Sequence, residues 1–272
     1  MFTPAQQAAS LAVARGNRYR YSSFETGWQP DSYLARYYSR VENDERATLQ
    51  FLVRAAARLP ETPLLLEFGC GPTVHHLFPF ATRCREIHVA DYLPANLQRV
   101  RRWIAAGPEA HDWAPFAEYT LRAELGRSPV ATEVGVREQQ LRRRIRRFLL
   151  ADARRSRPIL DREAPSTYPT VLSCFCPDSI TDVFDEWRRC MLNIASLVAP
   201  DGWLVLAALR ATDVYHVGND RFPSAAITED DVIDVLSDAG FAKAAMTIEV
   251  ARAEDQNGYG FSEIILATCR RV

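Results

Sequence analysis

The residues whose types and spacing bear on chemistry gather first between Leu64 and Thr73, which reads LLLEFGCGPT. An apolar run that meets an acid and breaks into Gly-x-Gly predicts a buried parallel strand ending in a tight turn, where such folds seat a ligand. Gly69 and Gly71 strip the turn of side-chain bulk, so a ligand can lie against backbone. A dinucleotide fingerprint wants a third glycine where Val74 stands, and a phosphate cradle wants an N–H that Pro72 lacks. The loop therefore suits a nucleoside with an uncharged or zwitterionic tail. A second apolar segment, EIHVAD, closes on Asp91, about 20 residues past the loop, the spacing at which an acid on the neighbouring strand reaches ribose hydroxyls. Asp91 is the expected ribose ligand; capping the following helix is the alternative role for the same acid.

Further along, the short apolar strand TVLSCF runs into Cys176-Pro177-Asp178, a carboxylate just beyond a strand's carboxyl end, where open α/β sheets place ligand contacts. Capping the next helix is its plainer role. Upstream, Tyr19, Tyr21, Phe24, Trp28, Tyr33, Tyr37 and Tyr38 crowd a segment broken by Gly27 and Pro30. Such density reads either as a satellite core or as a lid whose rings close over a ligand. No metal site is expected: Cys174-Phe175-Cys176 lacks a second pair at ligand spacing, and His75 and His76 are adjacent.

These residues need a scaffold, and the rest of the chain predicts one. Its 272 residues, 47% of them hydrophobic, are enough for one large α/β domain. Helices are expected over 4–15, 42–59, 94–106, 138–147, 181–197 and 229–239, the last capped by Thr228 and closed by Gly240; Asp31 is expected to cap a short helix carrying Tyr33 to Tyr38. Strands are expected at 64–68, 86–91, FLLAD up to Asp152, 170–175, 203–209 and a final hairpin over 242–250 and 261–269. The segment between Thr212 and Ser224 reads as irregular, and Ala199 to Gly202 as a turn. Alternation ending in a hairpin predicts a Rossmann-like, mostly parallel, doubly wound seven-stranded sheet with an antiparallel edge, residues 1–59 forming a helical lid over a core at 60–272.

A net charge of −1 with pI near 6.5 gives no pull toward nucleic acid or anionic membrane. The basic run EQQLRRRIRR carries Leu141 and Ile145 at helical spacing, so its arginines read as a solvated helix face. Six scattered cysteines, no leader and no run long enough to span a membrane predict reduced thiols in a cytoplasmic protein.

The pieces SYLARYY, GCGPT, DYLPANL, PEAHDWAP, SCFCPD and the segment from Tyr215 to Ser224 occur in one order over most of the chain. In them the sequence resembles the small-molecule amine methyltransferases that use S-adenosylmethionine, the family of nicotinamide, phenylethanolamine, indolethylamine and thioether methyltransferases. The resemblance implies that Tyr38, Gly69, Cys70, Gly71 and Thr73 hold the methionine end of the cofactor. Asp91 and Asn96 would bind its ribose, Tyr92 would lie against the adenine, Asp152 and Ala153 would meet the adenine edge, and Cys174 would offer backbone near the sulfonium. Tyr33 would sit over the reacting centre, with Tyr21 a further residue of the lid. Phe175, Asp178, Thr212, Tyr215 and Ser224 would contact the acceptor. Asp178 would anchor its N–H or take its proton. The family's second acid is Ala208 here, with Asp213 a few residues on as its expected replacement.

The expected function is thus methylation of the nitrogen of a small amine or heterocycle, in specialised metabolism, by a monomer or weak homo-oligomer. An oxygen, sulfur or selenium acceptor, a regulator that binds cofactor without catalysis, and a nucleic-acid methyltransferase are the alternatives.

Overall fold

A computed structural model of the chain describes residues 21–253 and 260–272. The expected helix over 4–15 and Tyr19 of the aromatic cluster lie outside these residues. The elements in order are α1 (Pro30–Tyr37), α2 (Asn43–Arg58), β1 (Thr62–Phe68), a 3-10 turn (His75–Phe80), β2 (Cys84–Asp91), α3 (Pro94–Ile104), α4 (Ala114–Leu125) and α5 (Ala131–Arg144). Then come β3 (Ile145–Leu150), β4 (Tyr168–Cys174), a 3-10 turn (Pro177–Ser179), α6 (Phe184–Ala195), β5 (Val198–Leu209), β6 (Val214–Val217), β7 (Asp220–Pro223), α7 (Glu229–Asp238), β8 (Phe241–Arg252) and β9 (Glu263–Arg271).

Seven strands form one sheet in the order β3-β2-β1-β4-β5-β9-β8. The first five pair in parallel, and β9 is antiparallel to both β5 and β8. The parallel strands are apolar on both faces because helices cover both. Leu65, Ile87, Leu172, Val205 and Ala207 face a cluster with α2, α3, α4 and α5. Leu66, Ala90, Val171, Leu204, Leu206 and Ala208 face a second cluster with α6 and α7. The chain grows outward from β1 through β2 to β3 and then returns to the other flank of β1 as β4. At that reversal the loops after β1 and β4 diverge and leave a crevice at the strands' carboxyl ends.

Four local expectations are corrected. The helix read over 138–147 ends at Arg144, and Ile145 begins β3. The apolar spacing of Leu141 and Ile145 spans the junction, so a helical period was read across a helix and a strand. The segment 199–202 is a bulged insertion within β5, since Tyr168 pairs with Val198 and Thr170 with Trp203. The irregular stretch contains a β6–β7 hairpin in which Tyr215 pairs with Phe222. The α1 helix starts at Pro30 without a side-chain cap, and Asp31 instead pairs with Arg99 on α3. The capping of α7 is as expected: Thr228 Oγ1 accepts from the Asp231 N–H, and the Asp231 carboxylate accepts from the Thr228 N–H at 2.9 Å.

Candidate active site

The loop after β1 is fixed from the side of β2. The N–H groups of Gly69 and Cys70 both donate to the Ala90 carbonyl, at 2.8 and 3.0 Å. Gly71 N donates to Asp91 Oδ2 at 2.8 Å, while Leu93 N and Asn96 Nδ2 donate to Asp91 Oδ1 at 2.8 and 3.0 Å. One carboxylate thus ties the glycine loop to the start of α3, and it also lines the crevice. Three of its roughly four lone-pair positions are filled, which leaves one for a ligand hydroxyl. Burial pushes its carboxyl above the usual carboxylate range, against the pull of those N–H donors.

Gly69 is required twice over. Its φ of +74° is the left-handed region, and a Cβ there would stand 2.1 Å from Cys176 Sγ in the loop after β4. Backbone-to-loop contact at that point is what lets the two diverging loops close one crevice.

The crevice continues as a single cavity. At one end stand Asp152, Ala153, Arg154 and Tyr92, where the Arg154 guanidinium lies 4.9 Å from the Tyr92 ring centroid and bonds Asp152 at 2.9 Å. Asp91, Asn96, Gly69 and Gly71 follow, then Cys70, Thr73, Cys174, Tyr33 and Tyr38. The hydroxyls of Tyr33 and Tyr38 are 3.1 Å apart, and burial raises both phenols well beyond their ordinary range, so they remain protonated. Phe175, Leu209, Tyr215, Tyr37 and Phe261 form an aromatic compartment at the other side. Phe175 holds a left-handed φ of +53°, pinned by its N–H on the Ala207 carbonyl at 2.7 Å.

The N-terminal segment closes over the cavity through bonds to the core. Trp28 Nε1 donates to Asn96 Oδ1 at 2.9 Å, the Tyr92 hydroxyl donates to Glu25 at 2.8 Å, and the Tyr37 hydroxyl donates to the His216 carbonyl at 2.8 Å. The rings of Trp28 and Tyr33 lie 4.6 Å apart. Tyr37 and Tyr38 belong to the core cluster, Phe24, Trp28 and Tyr33 pack against it, and all five line the cavity.

Five of the residues singled out from sequence do not line the cavity: Tyr21, Asp178, Thr212, Asp213 and Ser224. The Tyr21 hydroxyl donates to Asp182 at 3.0 Å. Asp178 is fully buried. Its Oδ2 accepts from the Leu209 N–H at 2.9 Å and from Ser179, and its carbonyl accepts from the Ala225 N–H. Its Oδ1 has no partner, nor has the buried Oγ of neighbouring Ser224. Burial pushes the Asp178 carboxyl up to about 6, the Leu209 N–H opposing. Thr212 donates to the Arg210 carbonyl, and the Asp213 carbonyl accepts from the Ser224 N–H. Ala208 points into the cluster under α6 and α7, away from the cavity cluster that holds Ala207 and Leu209. An acid in its place would therefore meet an apolar layer.

Asp44 and Glu45, which no sequence pattern singled out, and His76, weighed above only as a metal ligand and set aside, stand on the wall beside Tyr38 and Thr73. Glu45 Oε2 is 2.9 Å from His75 Nε2 and 3.6 Å from His76 Nε2. Donor groups of these three residues lie within 4.8 Å of one another, a set that can hold a metal ion, and here Glu45 and His75 already satisfy each other. The wall carries Glu25, Asp44, Glu45, Asp91 and Asp152 against the single guanidinium of Arg154. Such a surface favours a cationic ligand.

Comparison with known proteins agrees with this geometry. A model of the NNMT/PNMT/TEMT family matches residues 18–270. Nicotinamide N-methyltransferase of Sus scrofa is 28% identical over 221 residues, covering 79% of this chain and 82% of that protein. Indolethylamine N-methyltransferase of Mus musculus is 28% identical over 228 residues, covering 80% and 83%. In fold, the magnesium protoporphyrin IX methyltransferase of Synechocystis PCC 6803 with bound SAM superposes over 96% of this chain and 97% of that one, at a TM-score of 0.53 and 14% identity. The chain belongs to the NNMT/PNMT/TEMT family, and it is an S-adenosylmethionine-dependent methyltransferase.

Proposed function

We propose that the cavity holds S-adenosylmethionine along the glycine loop and that the aromatic compartment presents the nitrogen of a small amine or heterocycle to it. The observation that carries this reading is the continuity of one acid-walled cavity, from the Asp152 end past Asp91 and Gly69 to Tyr33 and on to Phe175 and Tyr215. A cationic sulfonium with a nucleoside at one end and an amino acid at the other matches that sequence of surfaces. When bound, the cofactor supplies a methyl group on positive sulfur, open to displacement by a lone pair.

Catalysis is then a matter of alignment, worth up to roughly 7–11 kcal/mol in well-oriented cases. Asp91 and Asn96 fix the ribose, Gly69, Cys70, Gly71 and Thr73 receive the tail, and Tyr33 and Tyr38 offer hydroxyl lone pairs beside the cationic centre. Tyr92 and Arg154 shelter the adenine, with Asp152 and Ala153 at its edge and the Cys174 backbone near the sulfur. Trp28, Tyr33 and Tyr37 exclude water, without which a neutral amine keeps its lone pair free for attack. Asp178 serves from behind the wall: its Oδ1 and the Ser224 hydroxyl are buried without a bond of their own. Its carboxylate acts on the acceptor through the wall, holding the Leu209 N–H and with it a cavity-lining residue in place. Thr212, Asp213 and Tyr215 shape that wall. Residues 21–58 act as the lid of one catalytic unit with the sheet, and six free thiols suit a reducing compartment such as the cytoplasm.

The test is transfer of a labelled methyl group from S-adenosylmethionine to a panel of amines and N-heterocycles, with oxygen and sulfur nucleophiles alongside. Label on nitrogen bears the reading out; tight cofactor binding with transfer only to oxygen or sulfur would replace it.

A further inference from the structure

We infer that the inner end of the cavity, past Tyr38 and Thr73, is a binding site for a primary ammonium group, held by Asp44, Glu45 and His76. Asp44 and Glu45 occupy the first turn of α2, and His76 is the second residue of the 3-10 turn that follows the glycine loop. All three line the cavity. Glu45 and His76 are each about 95% shielded from solvent, and the neighbouring His75 is completely buried. The Nε2 atom of His76 has no hydrogen-bond partner. An ammonium carries three N–H donors, and this corner offers three kinds of acceptor: one carboxylate from Asp44, one from Glu45 and an imidazole nitrogen.

The charge balance leads the same way. Among the described residues lining the cavity the only permanent cation is Arg154, at the opposite end. Glu67, a third buried acid, lies 3.9 Å from His76 Nδ1 and has one oxygen without a partner. Buried carboxylates without a cation are unfavourable until one arrives. The donors that crowd Asp91, by contrast, are supplied by the protein itself.

Two sources can deliver this ammonium: the α-amino group of the cofactor's methionine tail, for which the site deepens the cofactor assignment and rests on it, or the amine of the acceptor. Calorimetry with three probes separates them. S-adenosylhomocysteine carries the amino group, its desamino analogue lacks only that group, and 2-phenylethylamine stands for an acceptor amine. If the tail is the source, the wild-type protein binds the first about 10- to 100-fold tighter than the second, the range expected for charge-assisted bonds in a buried site. Asp44→Asn and Glu45→Gln shrink that ratio toward one while the affinity for the desamino analogue stays within about twofold. If the acceptor is the source, the ratio is near one throughout, and both variants weaken 2-phenylethylamine binding to the homocysteine-saturated protein by about tenfold.

Two variants in which neither the ratio nor the amine affinity moves overturn the site. Asp44 is only partly buried and its replacement is isosteric, so it reports even if Glu45→Gln fails to fold. Should the wild type not bind S-adenosylhomocysteine at all, the cofactor assignment falls, and the amine titration on the free protein decides the site alone.

Discussion

The two halves of the cavity are built on opposite terms. At the glycine loop, every strong group already has a protein partner: Asp91 accepts three bonds, Gly69 and Cys70 share the Ala90 carbonyl, and the Thr73 hydroxyl donates to the Cys70 carbonyl. At the acceptor wall and the inner end, Asp178 Oδ1, Ser224 Oγ and His76 Nε2 are buried without one. The first half is rigid before any ligand enters, because a fixed ligand is best met by fixed geometry. The second retains unmet polar groups, which are unfavourable in the empty protein and reward only a ligand that answers them. On the proposed function, affinity for the cofactor and selectivity for an acceptor would rest on different residues.

The most damaging way to test this division is at Gly69. A methyl group there collides with Cys176 and demands a left-handed backbone from alanine, so Gly69→Ala should abolish measurable S-adenosylhomocysteine binding and lower the melting temperature. Gly71→Ala, with φ of +60° but its nearest neighbour at 3.9 Å, should lose only about 1–2 kcal/mol of stability. Equal effects at the two glycines would show that strain, and not the contact with the β4 loop, governs the turn.

Next in size is Asp91→Ala, expected to weaken S-adenosylhomocysteine by about 100-fold in calorimetry, since it removes a ribose bond and frees the loop. Asp178→Asn should do the converse. It should lower turnover at least tenfold in the methyl-transfer assay while leaving cofactor affinity within about twofold. Loss of both in either variant would merge the two halves into one.

The same Asp178→Asn variant carries a pH prediction. A carboxyl raised from 3.8 to about 6 on folding contributes stability that is present below pH 4 and is lost as pH climbs through 6. Asparagine has no such loss, so the variant should gain on the wild type by a few degrees of melting temperature between pH 4 and 6 and hold that gain above. An unchanged difference across that range would deny Asp178 its buried, unpaired state. The smallest effect belongs to the lid: Trp28→Phe deletes the bond to Asn96 at an expected cost of about 1 kcal/mol, read as a roughly fivefold weaker cofactor affinity.

Much of the cofactor half could be read without the fold because its signals are local. Gly69, Gly71 and Asp91 sit at the ends of two apolar runs, and a parallel strand pair with a tight turn follows from those runs alone. The lid was visible as a surplus of rings, although not its attachment points on Asn96, Tyr92 and His216, which lie 67 to 179 residues away. The inner acidic corner left no signal. Asp44 and Glu45 look like ordinary first-turn acids of a helix, and Glu45 meets His75 across 30 residues.

Sequence by itself determined the order of the seven sheet strands, the backbone freedom of the loop and the acid opposite it, because each depends on neighbours within a few residues or one strand away; it missed α4 and the β6–β7 hairpin. Tertiary structure alone decided which carboxylates face the ligand. Asp178 is fully buried off the cavity while Asp44 and Glu45 reach it, and Ala208 faces the far layer. Those outcomes turn on strand alternation and helix placement across the whole sheet, where a shift of one residue sends a side chain to the opposite face.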